Sequence, residues 1–234
     1  MRLNKYLGES GRWSRRGADE LIEQGRVTIN GKPAKLGMQV NPGDEVKVDG
    51  DLVGAARKLT RPVYIALNKP VGITCTTERH IEGNIVDFVD HPERIFPIGR
   101  LDKDSEGLIL LTNDGDIVNE VLRAEHNHEK QYVVAVDRAL DDAFVERMSA
   151  GVKLPGDGAT TKRCKVHKLG PKQFEIILTQ GLNRQIRRMC AALGYEVVAL
   201  KRVRIMHVLL GNLALGRWRN LTPQEVAGLR ARKQ

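Results

Sequence analysis

The segment GRLDKDSEGLILLTNDGD, residues 99–116, places Asp102 between Arg100 and Lys103 and then runs into a block of aliphatic side chains. A carboxylate flanked by cations stays ionised at neutral pH, and an ionised carboxylate can attack a sugar carbon. A surface aspartate in a turn, tied into a local ion-pair network, fits the same spacing. The rest of the chain has to separate the two readings.

Outward from that segment, the chain has 234 residues, enough for one large domain or a medium one with a small companion. Hydrophobic residues make up 41% and charged residues 29%, as in ordinary globular proteins. No apolar stretch approaches the roughly 18 residues of a membrane span, and the first ten residues, MRLNKYLGES, lack the apolar run of a signal peptide. A cytoplasmic protein with no membrane partner is the expectation. Cys75, Cys164 and Cys190 are odd in number and widely spaced, which argues for free thiols over a disulfide framework or a zinc site.

The formal charge is +9, and it is unevenly spread. Residues 1–60 hold 11 basic and 8 acidic side chains (+3), 61–183 hold 16 and 19 (−3), and 184–234 hold 11 and 2 (+9). Two basic ends around an acidic middle suit a molecule that grips a polyanion such as nucleic acid at two places.

Residues 3–8 read as a short helix, and Ser14 reads as the N-cap of a second helix carrying Ala18, Leu21 and Ile22, with Gly25 beyond its end. In VTINGKPA, Asn30-Gly31 is a two-residue hairpin signal, and NPGD at 41–44 turns the chain before the strand EVKVDG. Residues 1–50 thus form a small module with Arg2, Lys5, Arg12, Arg15 and Arg16 at its helical start. DLVGAARKLTRP, 51–62, has no clear period and reads as a linker. From Val63 onward, strands are expected in VYIALNKP, QYVVAVD, QFEIILTQG and VLLGNLAL. Helices are expected over 116–123, 140–151 and 184–193. That mixture argues an α+β fold with an antiparallel or mixed sheet.

Familiar catalytic devices can be set aside. GRVTINGKP lacks phosphate-loop spacing, and there is no nucleophile elbow, zincin motif or dinucleotide fingerprint. His126 and His128 in HNHEK read as a polar loop, and no metal site is expected. In QGLNRQIRRMCAALGY, Asn183 reads as an N-cap, and Ile186, Met189, Cys190 and Leu193 mark the buried face of a helix. Arg184, Arg187 and Arg188 fall on another face, suited to a phosphate or a carboxylate, or simply to water. Tyr132 alternates with Val134 and Val136, so it is either a core tyrosine or a ring at a site's edge able to stack on a base.

RLNKYL, SRRGADELI, GRVTINGK and NPGDEVKV resemble the small αL RNA-binding domain of a ribosomal small-subunit protein and several RNA-modifying enzymes. GRLDKDSEGL, EKQYVV and QGLNRQIRRM together resemble the motifs of pseudouridine synthases, in the ribosomal RNA branch that carries this N-terminal domain. The resemblance implies an αL domain at 1–50, a linker at 51–62 and, at 63–234, a catalytic domain with a large, mainly antiparallel mixed sheet. It implies an isomerase needing no cofactor, with Asp102 as the catalytic aspartate and Arg187 as the arginine paired with it. By the same resemblance Tyr132 stacks on the target base and is placed for the late proton transfer from C5, Arg100 helps displace the nucleotide, and Leu200 lines the base pocket. Arg184, Arg188 and the five N-terminal cations are candidate RNA contacts. The implied partners are large-subunit ribosomal RNA and a tyrosine tRNA, bound by a monomer. Modification of small-subunit RNA, or a non-catalytic role in ribosome assembly, stays open as the alternative. Trp13 and Gly17 depart from the usual αL pattern, which bears on the RNA grip of that domain.

Overall fold

The computed structural model describes residues 1–53, 62–122, 128–156 and 158–230. The chain divides into two compact units, Met1–Pro62 and Val63–Gln234.

In the first unit, α1 (Leu3–Glu9) and α2 (Arg15–Glu23) accompany a four-stranded antiparallel sheet in the order β2-β1-β3-β4, formed by β1 (Val27–Ile29), β2 (Lys32–Pro33), β3 (Val46–Val48) and β4 (Asp51–Leu52). The Ser14 hydroxyl accepts a 2.8 Å bond from Gly17 N–H and so starts α2 as its N-cap. Asn30 and Gly31, at φ +51° and +75°, make the tight hairpin turn that the Asn-Gly pair predicts. Leu3, Leu7, Ala18, Leu21, Ile22, Val27, Val46 and Val48 form the core. Val53 joins it and β4 pairs with β3, so the segment expected to be linker from residue 51 is structured through Val53. Residues 54–61 lie outside the described residues.

The second unit is built on a nine-stranded sheet. Its main path runs β13 (Trp218–Asn220), β5 (Tyr64–Lys69), β7 (Glu106–Thr112), β11 (Val197–Ile205), β8 (Lys130–Val136), β10 (Gln173–Leu178), β9 (Lys165–Gly170). β6 (Phe96–Ile98) pairs with β7 and β12 (Val208–Leu209) with β11. Every pairing is antiparallel except β7 with β11, so the sheet is mixed and mainly antiparallel. Ile65, Leu67, Ile109 and Leu111 pack on one face with α3 (Ile85–Val89), α5 (Phe144–Ser149) and α6 (Gln185–Ala192). Tyr64, Ala66, Leu108 and Leu110 pack on the other with α4 (Gly115–Leu122) and α7 (Pro223–Arg230). With both faces covered, β5 and β7 read as continuous apolar runs.

The strand expected over 208–215 ends at Leu209, where the chain turns back. The N-cap of α6 is Arg184, in the left-handed region at φ +47°, and Asn183 lies before it. Gln185 reaches back instead, its Oε1 accepting from Leu182 N–H at 3.0 Å.

α7 opens with a capping box. Thr222 N–H donates to Glu225 Oε2 at 2.8 Å, and Glu225 N–H to Thr222 Oγ1 at 3.2 Å. Arg219 adds two bonds to the same carboxylate, at 2.8 and 2.7 Å, and these hold the Glu225 carboxyl down at about 2 against the opposing effect of burial. A depressed carboxylate stabilises the fold fully above its ordinary value of 4.5 and loses that contribution as pH falls toward 2. Glu225→Gln is therefore expected to cost about 1–3 kcal/mol at pH 7. Melting curves should show the gap from the parent closing as the pH drops from about 5 to about 2. A gap independent of pH would rule out the charge as its source.

Candidate active site

Asp102 sits in a tight turn between β6 and β7, closed by Ser105 N–H donating to the Asp102 carbonyl at 3.0 Å. The loop after β5 braces that turn: Gly72 N–H donates to the Lys103 carbonyl at 2.8 Å, and Leu101 N–H to Cys75 Sγ at 3.4 Å. Beneath the brace lies Lys69, fully buried, its Nζ donating to the carbonyls of Pro70 at 2.8 Å and Ile73 at 3.0 Å. Burial lowers the pKa of this lysine, and the charges of Asp102 and Asp104 are among those that favour its protonated form.

The Asp102 side chain is half-buried and faces a cleft of about 510 Å³. Arg100, Tyr132, Arg184, Arg187 and Leu200 line the same cleft, so the fold gathers residues from four separate stretches of sequence. Among the described residues of the lining, Asp102 is the one carboxylate, set against Arg100, Lys130, Arg184, Arg187 and Arg202. No ion pair within 4.0 Å forms on Asp102 or on the exposed Arg100 among the described residues. Tyr132 is half-buried and Leu200 is buried.

The pairing of Arg187 with Asp102 is not what the structure holds. Arg187 Nε lies 3.3 Å from Asp104 Oδ2, and its Nη2 donates to the Asp104 carbonyl at 2.8 Å and to Ser105 Oγ at 3.3 Å. Its Nη1 donates to the Val197 carbonyl at 3.1 Å. Arg184 forks onto the same Asp104 carboxylate at 3.1 and 2.8 Å. The tight turn sends two carboxylates, two residues apart, to different neighbours: Asp102 to the cleft and Asp104 to α6. Arg184 holds the Asp104 carboxyl below its usual range, and the charge of Arg187 adds to the effect. Arg188, one residue further along α6, turns away to the Pro155 carbonyl at 2.9 Å and is not part of the lining.

Three titratable residues of the lining, Arg202, Lys130 and His128, were not assigned to the site by the sequence reading. Arg202 is 3% exposed, donates to the Leu108 carbonyl at 2.6 Å and to the Arg100 carbonyl at 3.3 Å, and sits 6.0 Å from the centre of the Tyr132 ring. It thereby links β7, the turn before Asp102 and the Tyr132 strand. Lys130 shares a face of β8 with Tyr132, and burial lowers its pKa. His128, expected in a polar loop, is buried against the cleft, while His126 lies outside the described residues. The signal for Arg202 is its spacing of two from Leu200, which puts both on one face of a strand.

In the first unit, Arg2, Arg12, Arg15 and Arg16 are exposed, and Lys5 is half-buried, 3.5 Å from Glu9. Arg12 lies 5.9 Å from the Trp13 ring centre.

Comparison with known proteins gives a consistent result. Residues 63–192 match the family described as RNA pseudouridylate synthase, and residues 1–56 match the S4 domain. The chain is 58% identical over 229 residues to the dual-specificity RNA pseudouridine synthase RluF of Escherichia coli (strain K12), covering 98% of this chain and 78% of that protein. It is 36% identical over 237 residues to the ribosomal large subunit pseudouridine synthase B of Bacillus subtilis (strain 168), covering 98% and 96%. A crystal structure of a pseudouridylate synthase matches with a TM-score of 0.72 at 32% identity, covering 98% of this chain and 99% of that one.

Proposed function

Because the chain belongs to the RNA pseudouridylate synthase family, with an S4 domain at its N-terminal end, we propose that it isomerises uridine in large-subunit ribosomal RNA and in a tRNA, with Asp102 as the catalytic carboxylate. The observation that carries the site assignment is that, among the described residues, one carboxylate lines the cleft together with five Arg and Lys side chains.

The reaction breaks the bond between the ribose and N1 of uracil, turns the base and rejoins it through C5. C5 loses a proton and N1 gains one, so no atom enters or leaves overall. Glycoside hydrolysis normally uses two carboxyl groups, one of them to activate water, whereas an isomerisation that keeps its base needs no such partner. Asp102 acts on the ribose. Tyr132 and Leu200 hold the detached uracil between a ring and an aliphatic wall while it turns. Arg100, exposed beside the cleft, enters the stack that the target nucleotide leaves. Arg187 is fixed by Asp104, Ser105 and Val197, and it contributes positive charge at the wall next to Asp102. Arg2, Lys5, Arg12, Arg15, Arg16, Arg184 and Arg188 contact RNA backbone, the term that dominates affinity in such complexes.

For the substrates, the support is the dual specificity named for the Escherichia coli relative and the large subunit named for the Bacillus one. One pocket can serve two RNAs when it reads local shape and an easily unstacked uridine. Short stem-loops from each RNA should then be modified in isolation, as followed by chemical mapping of pseudouridine. Breaking the stem should cost more activity than compensatory base-pair changes. Equal loss from both would show sequence reading, absence of pseudouridine in one RNA would remove that substrate, and its absence in both would leave RNA binding without catalysis as the function.

A further inference from the structure

We propose that Asp104 is an internal counterion that occupies the Arg184 guanidinium in the free protein and gives it up to a phosphodiester of the RNA. The proposal rests on RNA being the substrate.

The geometry carries the argument. Arg184 lines the cleft, and its two terminal nitrogens take the two oxygens of one carboxylate, at 3.1 and 2.8 Å. A phosphodiester presents the same pair of acceptor oxygens to the same planar fork. Both side chains remain open to solvent, at 46% and 45% exposure, so an incoming phosphate can reach the pair without unfolding anything. Arg184 is also set in a left-handed backbone, φ +47°, a conformation more usual for glycine or asparagine. The chain places a long cation on the cleft lining where glycine would relieve the backbone strain.

The two arginines on Asp104 are held differently. Arg187 has, besides the carboxylate, the carbonyls of Asp104 and Val197 and the Ser105 hydroxyl, and it is 15% exposed. Apart from its backbone, Arg184 has the carboxylate alone among the described residues. Loss of the carboxylate contact therefore releases Arg184 and leaves Arg187 anchored by the main chain. Until RNA arrives, Asp104 keeps the fork aligned and suppresses adventitious anions at the cleft lining.

The test measures binding of a short fluorescent RNA stem-loop with one loop uridine to the full chain, as a function of salt. Asp104→Asn and Asp104→Ser, each checked for native melting, should bind about three- to tenfold more tightly than the parent at low salt. Their slope of log affinity against log salt should match the parent's, because Arg184 meets the same phosphate in both complexes and only the cost of releasing it from Asp104 differs. The decisive arm is Arg184→Gln: in that background Asp104→Asn should change neither affinity nor slope. Unchanged or weaker binding in the single variants would overturn the proposal. So would a tightening that persists without Arg184, which would mark a general charge effect. Failure of the parent itself to bind RNA would instead remove the RNA reading on which the proposal rests.

Discussion

Asp102→Asn is expected to lower turnover by about a thousandfold or more, an increase in barrier of roughly 4 kcal/mol. Tritium release from C5-labelled uridine in RNA reads that loss directly. The substitution keeps the side-chain shape and removes the charge that acts on the ribose. Because Asp102 makes no ion pair within 4.0 Å among the described residues, its neutralisation breaks no ion pair and removes only longer-range attraction to cations such as Lys69, so the melting temperature should stay close to the parent's. RNA affinity should hold as well, since the backbone cations supply most of it. Residual turnover within about tenfold of the parent, roughly 1.4 kcal/mol, would remove Asp102 from the chemistry.

The second large effect is structural and lies at the sheet's one parallel seam. Gly107 has φ +106°, and a Cβ placed on it would stand 2.3 Å from the Arg202 carbonyl oxygen and 2.7 Å from the Arg202 nitrogen. Both contacts are backbone atoms of β11, so no side chain can swing aside to make room. Gly107→Ala should therefore cost about 3–5 kcal/mol, from strain at a left-handed position and from overpacking. In a unit of this size the melting temperature should drop by about 10 °C. Because β11 lies between β7 and β8, the same displacement would part Arg202, Leu200 and Tyr132 from Asp102 on the β7 side, so activity should fall even below the melting range. An alanine variant with the parent's melting temperature would show that β7 and β11 can part without loss.

Local chemistry made the first unit legible. Ser14 and Gly25 bound α2, and Asn30-Gly31 closes a hairpin, because each of these residues acts on backbone groups only a few positions away. The capping box of Thr222 and Glu225 carries the same kind of local signal, in the T-P-Q-E order of the sequence, and it marks α7. The strands of the large sheet were harder to see. β11 holds Leu200, Lys201, Arg202 and Arg204 and has register shifts at Val197/Ala199 and at Arg202/Arg204, so its buried positions do not repeat every second residue. β7, apolar on both faces, shows no alternation and reads only as an aliphatic run.

By itself, the sequence determined the α+β class, the two basic ends, the small αL module and the identity of Asp102 as the carboxylate to examine. Motif and composition suffice for those, because they depend on residue type and short spacing. Only the tertiary structure decided which charges meet. Asp102 and Asp104 stand two apart in one turn, each next to Lys103 in sequence, yet the turn directs one into a cleft and the other onto Arg184 and Arg187, some 80 residues away. Burial of Arg202 under Tyr132 likewise depends on β11 lying against β8. Ion pairing falls off within a few ångströms, and distances on that scale between remote segments are set by how the sheet is assembled.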